Sequence, residues 1–176
     1  MDTGNLPTHS DDLAEGLAAW DADDFAKALQ KLKPLAEQGE GDAQGMIGLM
    51  YLYGKGVPQD YHEAIKWYRL AAEQGEASAQ NMIGRMYFHG EGVPQDYQEA
   101  IKWYRIAAKQ GYVGAQLMIG VMYAEGEGVP QDDKAAAKWL RLAAAQGNAD
   151  AQGLLDLLIE AGRVADCAPS DSTQKH

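Results

Sequence analysis

The chain has 176 residues and a net charge of −11, with 46% hydrophobic and 23% charged side chains. That composition suits a soluble globular protein with its own core, and the acidic balance excludes the basic footprint that nucleic acid or an anionic lipid surface requires. One cysteine, Cys167, excludes an internal disulfide, and no apolar run approaches the roughly 18 residues of a membrane span.

Residues 1–10 are polar and read as a flexible N-terminus. They have neither a basic n-region nor an apolar h-region, so no signal peptide is expected, although a sequence cut after a natural signal looks the same. Residues 11–38 predict a helix pair. Leu13, Gly16, Leu17 and Trp20 recur at helical spacing, and Phe25 to Gln38 carries Ala28, Leu32 and Leu35. Pro34 is expected to weaken or kink the last turn of that second helix. Nine residues separate Gly16 from Phe25, against thirteen from Gly48 to Tyr61. The opening pair is therefore an atypical, shorter-looped copy of the later pairs, as a terminal cap would be.

From Gly39 the chain repeats itself. Gly39, Gly75, Gly111 and Gly147 are 36 residues apart, and Pro58, Pro94, Pro130 and Trp67, Trp103, Trp139 keep the same step. Such a period signals a solenoid. The copies are 39–74, 75–110 and 111–146, with a partial copy at 147–162. The first helix of each copy runs near Asp42 to Tyr53, with Ala43, Met46, Ile47, Met50 and Tyr51 on one buried face. Gly48, Gly84 and Gly120 lie within that face. A mid-helix glycine costs about 1 kcal/mol against alanine, so close approach of a partner helix is expected there. Gly54-Lys55-Gly56 ends the helix.

Asp60 with Glu63, and Asp96 with Glu99, fit capping boxes at the start of the second helix; Asp132 meets Ala135 instead, losing half the box. Ala64, Trp67, Tyr68, Ala71 and Ala72 form the second helix's buried stripe. The partial copy predicts one capping helix, with Asp156 at the glycine position. Its Leu154, Leu155, Leu158 and Ile159 are expected to pack back onto Trp139 and Leu142. The alternative is that they seat a second chain end to end, so a monomer is expected and a dimer is the competing possibility. Residues 163–176 read as a disordered tail. The total is nine helices and no strand.

Ala-x-Ala-Gln, Gly-x-x-Tyr, Gly-x-Gly-Val-Pro-Gln-Asp-Tyr and Ala-x-x-Trp-Tyr-x-x-Ala-Ala recur through this region. From Gly39 to Ala161 the chain thereby resembles the Sel-1-like repeat family, a longer-looped relative of the tetratricopeptide repeats. The resemblance implies an all-α, right-handed α-solenoid of antiparallel helix pairs whose first helices line the concave wall. It also implies a non-catalytic scaffold or adaptor that binds another protein or peptide, often bacterial and often exported to the periplasm. The compartment is otherwise open: periplasm if a leader was removed, cytoplasm if not.

No cofactor, metal or catalytic centre is expected. His62-Glu63 begins like a zinc motif, but Lys66 stands where the second histidine belongs. His9, His62, His89 and His176 are scattered. Gly54-Lys55-Gly56 is a turn rather than a phosphate loop, because Glu91 and Glu127 replace the lysine in later copies. Ser172-Thr173-Gln174-Lys175 matches a Ser-x-x-Lys motif but falls in the tail. A hydrolase related to penicillin-binding, cysteine-rich repeat proteins is the enzymatic alternative, and the paired cysteines of such relatives are absent here.

The copies act as their own control: positions fixed between them answer to packing, which leaves function to those that change. The changing positions of the first helices predict a partner-binding stripe of Asp42, Leu49, Leu52, Tyr53, Asn81, Arg85, Phe88, His89, Leu117, Val121, Glu125 and Glu160. Leu49, Leu52, Phe88, Leu117 and Val121 are apolar where a solvent stripe would be polar. Phe88 and Arg85 are expected at the centre, with Arg85 and His89 facing a partner's carboxylate and Glu125 and Glu160 anchoring a basic one. The competing readings are drifting solvent positions, or a spacer with no groove.

Overall fold

The computed structural model describes residues 9–165. The expectations for residues 1–8, Cys167, the Ser172–Lys175 motif and His176 lie outside the described residues. Among those described, nine α-helices and no strand are found. They are α1 (His9–Asp21), α2 (Phe25–Glu37), α3 (Gly41–Tyr53), α4 (Tyr61–Glu73), α5 (Ala77–His89), α6 (Tyr97–Lys109), α7 (Val113–Glu125), α8 (Asp133–Ala144) and α9 (Ala149–Glu160). The chain divides into two compact units at Tyr112/Val113, two residues past the expected junction of the second and third copies.

Each second helix is started by an aspartate. Asp60 Oδ1 accepts from the backbone N–H groups of His62 (2.9 Å) and Glu63 (3.0 Å), and Asp96 and Asp132 repeat the geometry. The reciprocal half of the expected box is not made: the Asp60 N–H goes to the Tyr51 carbonyl, while the Glu63 carboxylate pairs with Lys66. That ion pair raises the lysine's pKa, as Glu99 does for Lys102. Asp132 therefore caps as well as its counterparts do without a glutamate behind it.

The loop motif is also accounted for. Gly54 ends α3 in the left-handed conformation (φ 66°), and the Lys55 N–H closes on the Met50 carbonyl. Gln59 Nε2 then donates to the Leu52 carbonyl at 2.8 Å, satisfying one of the orphan acceptors at that helix end. Gln95 and Gln131 do the same for Phe88 and Ala124. Pro34 does not end α2, which continues to Glu37; the Pro34 carbonyl still accepts from the Gln38 N–H.

The first unit stacks three helix pairs around two cores. Ala28, Leu32 and Leu35 of α2 pack with Ala43, Ile47 and Met50 of α3, with Trp67 covering them. Ala64, Tyr68 and Ala71 of α4 pack with Ile83 and Met86 of α5, with Trp103 in the same role. A buried glutamine stitches successive pairs. Gln44 Nε2 donates to the Ala36 carbonyl (3.1 Å), and Gln74 Nε2 donates to Gln44 Oε1 (2.7 Å). Gln80, Ala72 and Gln110 repeat the arrangement.

In the second unit, Leu155 and Leu158 of α9 pack onto Ala136, Ala137 and Leu140 of α8. The expected contact surface is thus corrected: Leu142 is exposed, and Leu140 takes its place. Leu154 and Leu157 are exposed, the latter by 61%. Arg163, expected in the tail, instead pairs with Asp133 at 2.6 Å, Val164 packs on the α8–α9 core, and the Ala165 carbonyl accepts from Arg141.

The mid-helix glycines are explained by close approach, as expected. A Cβ at Gly48 would lie 2.9 Å from the Tyr68 ring, and one at Gly84 would lie 2.8 Å from the Tyr104 ring. Gly45, one turn earlier in α3, has nothing within 4 Å. Gly48→Ala is therefore expected to destabilise by about 1–3 kcal/mol through overpacking, whereas Gly45→Ala stabilises by about 0.5–1 kcal/mol through helix propensity. Urea unfolding of both variants checks this; the opposite order would contradict the close-packing account.

Candidate functional site

In the first unit, α1, α3 and α5 share a wall that carries a groove of about 410 Å³. Its apolar sides are Leu17, Met46, Leu49 and Met82, with the Tyr68 ring behind them and Tyr112 at one end. Asp42 and Glu76 supply its charges, and among the described residues no lysine, arginine or histidine lines it.

Helix geometry explains this membership. At about 100° per residue, positions 42, 46, 49 and 53 fall within a narrow arc, while position 52 is turned about 80° from position 42. Asp42 and Leu49 of the expected stripe accordingly line the groove, and Tyr53 is 51% exposed beside it. Leu52 is corrected: it is 1% exposed and belongs to the core with Ile65 and Ile83. Phe88 holds the same phase in the next copy. It is half-buried and packs edge-on against Tyr97 of α6, with ring centroids 5.0 Å apart, and against the exposed His89.

Arg85 and Tyr53 are brought together. Arg85 donates to Tyr53 Oη at 3.3 Å and lies 5.8 Å from its ring. The guanidinium is also matched by Glu91 at 3.2 Å, so its charge is already neutralised within the chain. The expectation that Arg85 waits for a partner's carboxylate is corrected accordingly. Glu91 comes from the loop position that varies between Lys55, Glu91 and Glu127.

Among the described residues of the first unit, four buried side-chain oxygens have no hydrogen-bond partner: Tyr68 Oη, Tyr104 Oη, Asn81 Oδ1 and Glu91 Oε2. Burial pushes both phenols well above the ordinary tyrosine range, with Arg85 opposing the shift. The expected role of Tyr68 in the buried stripe of its helix is packing alone, and Tyr104 is its counterpart one copy later. Their rings do pack, but the mid-helix glycines let them reach through to the first-helix side.

In the second unit, Val121 and Glu125 join Ala124, Leu154, Leu157 and Arg163 around a smaller recess of about 160 Å³. Leu117 is half-buried against the α8–α9 core, and Glu160 is exposed at the end of α9. No described helix is long and apolar enough to cross a membrane.

The Sel1 repeat model matches residues 41–76, 77–112 and 113–148, the same three copies in a frame shifted by two residues. The chain belongs to the Sel1 repeat family. This Sel1 repeat chain is similar to a protective antigen of uropathogenic Escherichia coli that displays an SLR fold. That likeness has 37% identity and a TM-score of 0.83, covering 89% of this chain and 34% of the antigen. It is also similar to a Sel1 repeat protein from Oxalobacter formigenes, at 35% identity and TM-score 0.80, covering 85% and 61% of the two chains. The chain thus spans about a third and about three fifths of these relatives. Helicobacter pylori cysteine rich protein B, at 23% identity and TM-score 0.60, shares the fold over 75% of this chain. Among curated proteins none matches. The all-α solenoid of helix pairs expected from the sequence is the class of these relatives. Sel1 repeat proteins are generally protein-interaction scaffolds.

Because the Tyr68 hydroxyl has no partner among the described residues, Tyr68→Phe is expected to leave stability unchanged or raise it by up to about 1 kcal/mol. Tyr68→Ala empties the space over Gly48 and costs about 3 kcal/mol or more. Urea denaturation distinguishes the two; equal losses would contradict a hydroxyl without a structural role.

Proposed function

We propose that this Sel1 repeat chain is a non-catalytic scaffold that binds a segment of another protein along the first-helix wall of its first unit. The observation that carries the reading is the groove itself. Met46, Leu49, Met82 and Leu17 line it as an apolar strip together with Tyr68, whose buried hydroxyl has no partner among the described residues. Methionine suits a surface that adapts to a bound side chain, because its thioether is flexible and polarisable. A spacer without a groove would have no reason to keep these groups together.

The centre of binding accordingly moves from the expected Phe88 and Arg85 to Met46, Leu49 and Met82. Phe88 supports the wall through Tyr97, and Arg85 ties Tyr53 to Glu91. Both are positioning groups in this account. Tyr53, Asn81 and His89 extend the contact surface beyond the groove, and the hydrolase alternative has no supporting feature.

Co-purification from native extract tests the proposal, with Leu70→Ser, an exposed α4 side chain outside the groove lining, as a surface control. A partner recovered by wild type and by the control is expected to be lost, by about tenfold or more in yield, with a Met46→Ser/Met82→Ser double variant, because truncating central apolar anchors typically costs about 2 kcal/mol or more. Equal recovery by all three proteins would overturn the groove assignment.

A further inference from the structure

The groove has a charge imbalance that packing does not require. Among the described residues Asp42 and Glu76 are its only charged lining groups, and neither is paired with a cation there. Glu76 occupies the N-cap position of α5 but makes no side-chain cap. At the corresponding position of the preceding copy, Glu40 accepts from the Ala43 N–H at 2.9 Å, and in the last copy Asn148 accepts from Ala151 at 2.8 Å. The Glu76 carboxylate turns instead towards α3, where its Oε1 lies 3.3 Å from the place a Cβ at Gly41 would take. The later copies carry Ala77, Val113 and Ala149 at the Gly41 position, so the space beside this carboxylate is specific to this groove.

A second, independent observation lies at the back of the same groove. Tyr68 is 2% exposed, lines the groove, and its hydroxyl has no partner among the described residues. A phenol hydroxyl both accepts and donates, whereas the two carboxylates only accept. The chemistry that uses all three is a cation with several N–H donors on an apolar stem. The stem has Met46, Leu49 and Met82 to lie against, as lysine and arginine side chains do when they bury their methylenes and keep the head polar. The nearby cation, Arg85, does not compete, since Glu91 already matches it at 3.2 Å. The net charge of −11 favours the same sign of partner at longer range.

We propose that the groove selects a lysine or arginine side chain of the bound protein segment, its stem between Met46 and Met82 and its head shared by Asp42, Glu76 and Tyr68 Oη. The proposal rests on the protein-segment reading above and adds the chemistry of the segment.

Selection of a short randomised peptide library on the intact chain tests it, followed by fluorescence anisotropy on the selected peptides. The expected result is enrichment of Lys and Arg next to apolar residues. Affinity is expected to fall about tenfold in an Asp42→Asn/Glu76→Gln variant and with rising salt. Replacing the basic residue by norleucine should give a similar loss in wild type and little further loss in that variant. Circular dichroism confirms that the variant is folded.

Peptides that depend on Met46 and Met82 but show no basic preference, or ignore Asp42→Asn/Glu76→Gln, would overturn this inference and leave the groove reading standing. No groove-dependent peptide at all would overturn both. Spermidine binding as tightly as the peptides would overturn the assignment to a protein side chain.

Discussion

A tyrosine ring set against a helix with no side chain opposite it governs much of the first unit. Gly48 and Gly84 hold α3 and α5 against the rings of Tyr68 and Tyr104, at distances where any Cβ would collide. That one contact has two consequences. The rings bury a large apolar area between paired helices, each phenol being 1–2% exposed. Their hydroxyls are carried through to the first-helix side, where no group among the described residues receives them. In the third copy Leu140 fills the space over Gly120. Packing is preserved there and the hydroxyl is lost, so the polar chemistry of the wall belongs to the first unit.

The remaining repeat residues maintain that contact. In the three full copies, aspartates 60, 96 and 132 start the second helices, left-handed glycines stop the first helices, and Gln59, Gln95 and Gln131 bind the carbonyls exposed at those stops. Within the first unit, Gln44 and Gln80 fix successive pairs through buried amide bonds. A buried amide left unmet would cost about 1–3 kcal/mol, so these bonds specify the stacking register as well as stabilising it. The groove's walls come from three different helices and depend on that register.

Nearly all of the helical architecture was legible in the sequence because the repeat declares it many times over. Caps, turns and mid-helix glycines each recur at 36-residue steps, and every full copy has the expected helix pair. The wall was less legible, for a physical reason. Setting aside positions that stay fixed between copies removes Met46 and Met82 along with the packing residues, yet these fixed side chains line the groove. One residue type serves both purposes: Met50 and Met86, four residues further on, are fully buried. Conversely, Leu52 changes between copies and is core, because its helical phase directs it into the next pair. The role of Glu76 depends on what its carboxylate does not cap, and that of Arg85 on a neutralising Glu91 from a loop. Neither is visible without coordinates.

In the proposed function this wall, and within it the first methionine of each fixed pair, meets the partner. The chain has seven methionines, which makes methyl NMR on ε-13C-labelled protein the most direct measurement. On titration with a captured partner segment, the Met46 and Met82 methyl signals are predicted to shift most, while those of the buried Met50, Met86 and Met122 stay near their free positions. Shifts concentrated elsewhere, with Met46 and Met82 unmoved at saturation, would contradict the account.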